Sequence, residues 1–137
     1  MFDVTGFLSG AAAFLLAFLT AGGFAAGFMA LYRLVTPHDE GKLIGEGNIA
    51  AAVALGGAVL GYMIPLASAL TQTHSLPEFM AWAALAALIQ ILVFWGVRRL
   101  AIPDVSARIE RGEVASAIYL LLISVAVGII NAASMTS

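Results

Sequence analysis

The residues of this 137-residue chain that could do chemistry fall into two small sets. One is the run His38-Asp39-Glu40, followed closely by Glu46, which offers imidazole and carboxylate donors of the kind that ligate a hard divalent cation. The other is neutral: Thr20, Gln90, Ser124 and Asn131 are polar side chains set inside long apolar stretches. An amide or hydroxyl is costly to leave against hydrocarbon, so each must face protein or a water-filled path. Lining a path, Gln90 would lend hydrogen-bonding groups to a passing ion. As a tie between helices it would contribute about 0.6 to 2 kcal/mol, and this is the reading adopted. A solvated loop after a helix start at Thr36-Pro37 accounts for the HDE run without a metal. No metal ligand set, catalytic group or cofactor is assigned.

The elements that position these residues follow from composition. Hydrophobic residues make up 62% of the chain and charged residues 10%, and the mean hydropathy is +1.03. Soluble domains are roughly half apolar and a quarter charged, so this is an integral membrane protein. Crossing a hydrocarbon core of about 30 Å takes roughly 20 helical residues. Four stretches are long enough: residues 6–31, 48–70, 78–97 and 114–135. The fold class is therefore all-α, one membrane domain over residues 1–137. The first span lacks a basic leader and exceeds the usual signal core, so it is expected to stay. With no cysteine, thiol chemistry and disulfides are excluded.

All six cations lie on one side of this arrangement. Arg33 and Lys42 follow the first span, and Arg98, Arg99, Arg108 and Arg111 follow the third. The positive-inside rule then places both basic loops in the cytoplasm and both termini outside. His38 and His74 fall on opposite faces and cannot share a metal or proton relay. No charge sits at depth within a span, which argues against a proton pump or a voltage sensor.

The chain also writes one pattern twice. "RLVTP" (Arg33–Pro37) returns as "RLAIP" (Arg99–Pro103), and "IGEGNIAAA" (Ile44–Ala52) as "IERGEVASA" (Ile109–Ala117). Each copy belongs to a two-helix hairpin, residues 6–70 and 78–135. Two crossings return the chain to its starting side, so the repeats have parallel topology about a pseudo-twofold along the membrane normal. Pro37 and Pro103 stop helices, and Gly47 and Gly112 free the backbone before re-entry. Asn48 and Glu113 then cap the even-numbered spans. Glycine steps Gly23-xxx-Gly27 and Gly57-xxx-Gly61, with Ser124-xxx-Gly128, mark faces where helix backbones can approach closely. Trp82 and Trp95 are expected near the two interfaces, with Tyr32 and Tyr119 in one aromatic belt and Phe79 in the other. Ser75 and Glu78 form a capping box that starts the third span.

The run "TPHDE…IGEGNIAAAVALGGAVLGYMIPLASA", Gln90 in the third span and the closing "GIINAASM" resemble the domain of unknown function 350 family, bacterial inner-membrane proteins with duplicated hairpins. The resemblance runs from the first span to Met135. It implies an inner-membrane location and a grouping with envelope-stress proteins of the phage-shock type, for which a channel-like role is also considered. It supplies no catalytic residues. The second half departs from the pattern at Glu113 and lacks the acid equivalent to Glu40, which weakens any symmetric site built from both loops.

The expected function is a non-enzymatic inner-membrane scaffold or envelope-stress-associated protein; the alternative is a small oligomeric ion channel or transporter past Gln90, Ser124 and Asn131. Expected partners are the lipid bilayer, further copies of the chain, and a peripheral cytoplasmic protein or anionic lipid at the basic loops. No nucleic acid is expected.

Overall fold

Long apolar runs in this chain can satisfy their backbone groups only internally, and they do so as helices. The computed structural model describes residues 1–36, 39–102 and 104–135. It has α1 (Val4–Val35), α2 (Glu40–Gly45), α3 (Ile49–Gln72), α4 (Leu76–Leu100), α5 (Val105–Glu110) and α6 (Val114–Ala133), with no strand among the described residues. Helices α1, α3, α4 and α6 are long and apolar enough to cross a membrane.

The boundaries move modestly from the sequence reading. The first span runs further at both ends, the third begins at Leu76 and continues to Leu100, and the fourth stops at Ala133. Pro37 and Pro103, assigned as helix stops, lie outside the described residues. The two short helices α2 and α5 fall in the basic loops; in the first, a helix start was expected at Thr36-Pro37 and the helix begins at Glu40 behind Asp39, while in the second no helix was anticipated.

The core is built on the α3–α6 pair, whose contacts advance together along both chains. Gly57 meets Leu121, Gly61 meets Ser124, and Ser68 reaches Ala132, so the two helices run parallel. The approach is close enough to require glycine. A Cβ on Gly57 would lie 2.7 Å from the Leu121 Cα, and one on Gly61 would lie 2.5 Å from the Ser124 carbonyl oxygen. One on Gly128 would run into the Gly61 carbonyl oxygen. Pro65, inside α3, has no N–H to give to that same carbonyl.

Helix α4 crosses this pair in the opposite direction, and α1 lies beside α4. Three aromatic contacts hold α1: Phe24 edge-on to Phe79, Phe28 stacked on Tyr62 at 4.5 Å between ring centroids, and Tyr32 tilted against Phe94 at 4.7 Å. Only Phe28 and Tyr32 of α1 are buried. Its first half packs on little, leaving Phe7, Leu8, Phe14, Leu15, Phe18 and Leu19 exposed. Against acyl chains this exposure carries no hydrophobic penalty.

Two aromatic expectations are corrected here. Tyr32 and Phe79 were placed in interfacial belts, but both are buried because α1 and α4 use them as packing knobs. Tyr119, Trp82 and Trp95 are exposed.

Candidate functional site

Each copy of the repeated sequence folds into a corner that ends a short helix and starts a long one. Helix α2 closes with Gly47 N–H donating to the Ile44 carbonyl (2.9 Å) and Asn48 N–H to the Leu43 carbonyl (2.9 Å). Helix α5 repeats this with Gly112 to Ile109 (2.9 Å) and Glu113 to Arg108 (2.9 Å). This pair of bonds needs a left-handed residue, which glycine supplies without steric cost. Gly47 has φ 86° and Gly112 φ 82°. The next residue, Asn48 or Glu113, holds the N-cap position of α3 or α6; Asn48 caps its helix as expected, whereas Glu113, expected to cap too, makes no side-chain cap bond because Ser116 Oγ and Arg108 take its carboxylate.

The two caps differ in chemistry. Asn48 Oδ1 accepts from Ala51 N–H at 2.9 Å, while its Nδ2 donates across to the carbonyls of Ile109 (2.9 Å) and Glu110 (3.3 Å). One amide thus caps α3 and binds the end of α5. Glu113 has no donor and turns to its own half: Oε1 accepts from Ser116 Oγ at 2.7 Å and from Arg108 Nη1 at 3.2 Å, with Arg111 3.9 Å from Oε2. The Ser116 hydrogen bond, aided by Arg108 and Arg111 and opposed by desolvation, holds its carboxyl below the usual range.

The described members of the HDE run are not gathered for a metal. Asp39 accepts from Lys42 N–H at 3.1 Å as the N-cap of α2. Glu40 was read as part of a solvated loop, yet it is 1% exposed, because α2 folds its first residue inward. Glu40 and Arg98 both lie within electrostatic range of Tyr32, and Arg98 Nη1 donates to the Val35 carbonyl at 2.9 Å. Glu46 stays exposed at the corner. His38 lies outside the described residues, and no group of three potential ligands forms among the described ones.

The neutral polar residues join helices. Gln90 Nε2 donates from α4 to the Ser124 carbonyl of α6 at 3.3 Å, and Asn131 Nδ2 donates from α6 to the Ala86 carbonyl of α4 at 3.2 Å. Gln90 Oε1 is buried without a hydrogen-bond partner. Ser124 contributes its backbone, while Thr20 Oγ1 bonds back to Leu16 of its own helix at 2.7 Å. Two further ties were missed from sequence: Tyr62 Oη donates to the Ala83 carbonyl at 2.8 Å, and Ser68 Oγ to the Ala132 carbonyl at 3.3 Å. A tyrosine deep inside an apolar span was the available signal for the first, since its hydroxyl must find an acceptor there.

The glycine steps divide. Gly57, Gly61 and Gly128 sit at the α3–α6 crossing, whereas a Cβ on Gly23 or Gly27 would meet nothing within 4 Å. Those two line an open groove of about 530 Å³ between α1 and α4, together with Thr20, Phe28, Ala84 and Leu88. At the basic end a polar cavity of about 440 Å³ is lined by Arg98, Arg99, Asp104, Val105, Ser106, Ala107 and Glu110.

This architecture defines a helical membrane protein with four apolar spans. The chain belongs to the family described as Domain of Unknown Function (DUF350), whose model matches residues 4–135. It is similar to the UPF0719 inner membrane protein YjfL of Escherichia coli strain K12, with 43% identity over 109 residues, 80% of this chain and 82% of that protein. The YjfL protein of Escherichia coli O157:H7 matches equally, at 43% over 109 residues. No solved structure matches the chain.

Proposed function

We propose that this protein is a non-enzymatic scaffold of the bacterial inner membrane, of the envelope-stress-associated kind. The basic end faces the cytoplasm and both termini the opposite side. On the cytoplasmic side the basic end meets lipid headgroups or a peripheral protein, and copies of the chain associate in the membrane. The carrying observation is how the intramembrane polar groups are used. Gln90, Asn131, Tyr62 and Ser68 each direct a donor to a neighbouring helix's carbonyl, which closes the bundle. The parallel α3–α6 pairing is also compatible with two hairpin repeats, residues 6–70 and 78–135.

The second reading, a small oligomeric channel or transporter, draws on the buried Gln90 Oε1 that has no partner. Ion flux into liposomes separates the two, with Gln90→Leu reconstituted at equal density. The scaffold reading expects no flux over a range of monovalent and divalent ions, with Gln90→Leu weakening the fold by about 1 kcal/mol. Flux that the substitution alters would overturn it and make the α4 face the wall of a path. For the peripheral protein, neutralising Arg98, Arg99, Arg108 and Arg111 should release it in a pull-down, provided the topology is unchanged.

A further inference from the structure

The polar cavity at the basic end is lined by charges of both signs. Arg98 and Arg99 line it from the end of α4, Asp104 and Glu110 from the two ends of α5. The ion pairs found among the described residues join Arg108 and Arg111 to Glu113, and none joins these four groups.

Each group has a reason to remain available. Arg98 commits Nη1 to the Val35 carbonyl, leaving its other nitrogens. The Arg99 guanidinium lies over the Trp95 ring, 5.1 Å from its centroid, and Trp95 is exposed. That stack sets one side of the cavity at the depth where tryptophan rings meet headgroups. Asp104 occupies the N-cap position of α5 but makes no side-chain cap bond, and its backbone is left-handed at φ 57°. Glu110 engages Asn48 through its carbonyl only, so its carboxylate is unpaired among the described residues.

A purely anionic ligand would meet two guanidinium groups and be repelled by two carboxylates. A cation would meet the converse. The complementary ligand carries both charges a few bonds apart, with a phosphate for the arginines and a hydrogen-bonding ammonium for the acids. We infer that this cavity seats the headgroup of a phospholipid bearing a primary amine, that is, a phosphoethanolamine lipid. The phosphate lies against Arg98 and Arg99 and the ammonium against Asp104 and Glu110. A choline headgroup has no N–H to donate, and a glycerol headgroup has no positive charge, so both are disfavoured. The Trp95–Arg99 stack at the membrane face favours a lipid over a soluble ligand. This inference rests on the proposal that the basic end meets lipid headgroups, and it names the class.

The test is native mass spectrometry of the full-length protein in detergent, titrated with phosphatidylethanolamine, phosphatidylcholine and phosphatidylglycerol of identical acyl chains. The ethanolamine lipid should bind roughly tenfold tighter than the other two, the margin that charge-assisted hydrogen bonds provide. Asp104→Asn combined with Glu110→Gln should reduce it to the choline level and raise binding of the glycerol lipid. Asparagine tolerates the left-handed backbone at 104, so this variant keeps the fold. Arg98→Gln with Arg99→Gln should weaken all three lipids. Equal binding of the ethanolamine and choline lipids by the unmodified protein, or an unchanged preference in the acid variant, overturns the inference. Displacement of the lipid by equimolar free phosphoethanolamine overturns the lipid assignment. A protein pull-down run in parallel separates the two readings: a retained protein partner without lipid selectivity sinks the headgroup site alone, and selectivity without a protein partner sinks only the protein-scaffold reading.

Discussion

The corners at Asn48 and Glu113 are made from nearly the same residues and share their backbone hydrogen bonds, but they differ in what they hold. Asn48 has a donor and an acceptor on one short side chain, so it caps its own helix and reaches across to α5. Glu113 has acceptors only, and gathers Ser116, Arg108 and Arg111 around itself. The glycine and the helix stop determine the shape of a corner. The cap residue determines whether it fastens the two loops together or organises its own charges.

The strongest way to break this comparison is at Asn48. Asn48→Ala removes a cap, about 1 kcal/mol, and a cross-loop bond of about the same size. A loss of about 2 kcal/mol is expected, read from the midpoint of unfolding in a denaturing-detergent titration. Asn48→Asp keeps the cap but turns a carboxylate towards the carbonyls of Ile109 and Glu110, so it should retain the start of α3 while loosening α5, visible as faster amide exchange in residues 105–110.

Next come the glycines, where the corners should behave alike. Gly47→Ala and Gly112→Ala each force a side chain into the left-handed region, with an expected cost of about 1 to 2 kcal/mol in the same titration. A large effect at one and none at the other would show that the shared backbone bonds do not carry equal weight.

Glu113 should give the smallest effects. Its folded-state pKa is depressed, so its contribution is present above the unfolded value and is lost as pH falls through the folded one, below the usual carboxylate range. Stability should therefore decline on acidification in Glu113-containing protein, and less so in Glu113→Gln. Added salt should shrink the difference, because this carboxylate is half-exposed to solvent. Asn48→Ala protein should keep this acid response, since the charge cluster belongs to the other corner.

The spans were legible because a run of some twenty apolar residues has few other fates. Helices α2 and α5 were not, since six residues give less than two turns and no periodicity to detect. Gln90 and Asn131 announced themselves as amides in apolar surroundings, but their partners are backbone carbonyls, which every residue carries. Glu40 was misread for the opposite reason: a carboxylate next to His38 and Asp39 looks solvated until the tertiary fold buries it. The glycine steps carry a related lesson. Gly23-xxx-Gly27 and Gly57-xxx-Gly61 have the same spacing, yet only the second contacts another helix of the chain. Spacing identifies a face that can be approached closely, and the neighbouring sequence does not say whether anything approaches it.

The parallel contact of α3 with α6 also sets the order of biogenesis. The glycine face of α3 is made before α4, while the helix that fills it is the fourth of the four described spans. Until Val114–Ala133 enters the membrane, the first hairpin waits with Gly57 and Gly61 open to lipid and available to any other small-residue helix nearby. The α3–α6 contact therefore forms only after α6 has been made. A ribosome stalled before α6, or a chain truncated there, would leave three apolar spans, α1, α3 and α4, with the glycine face of α3 uncovered by α6 and free to mispair.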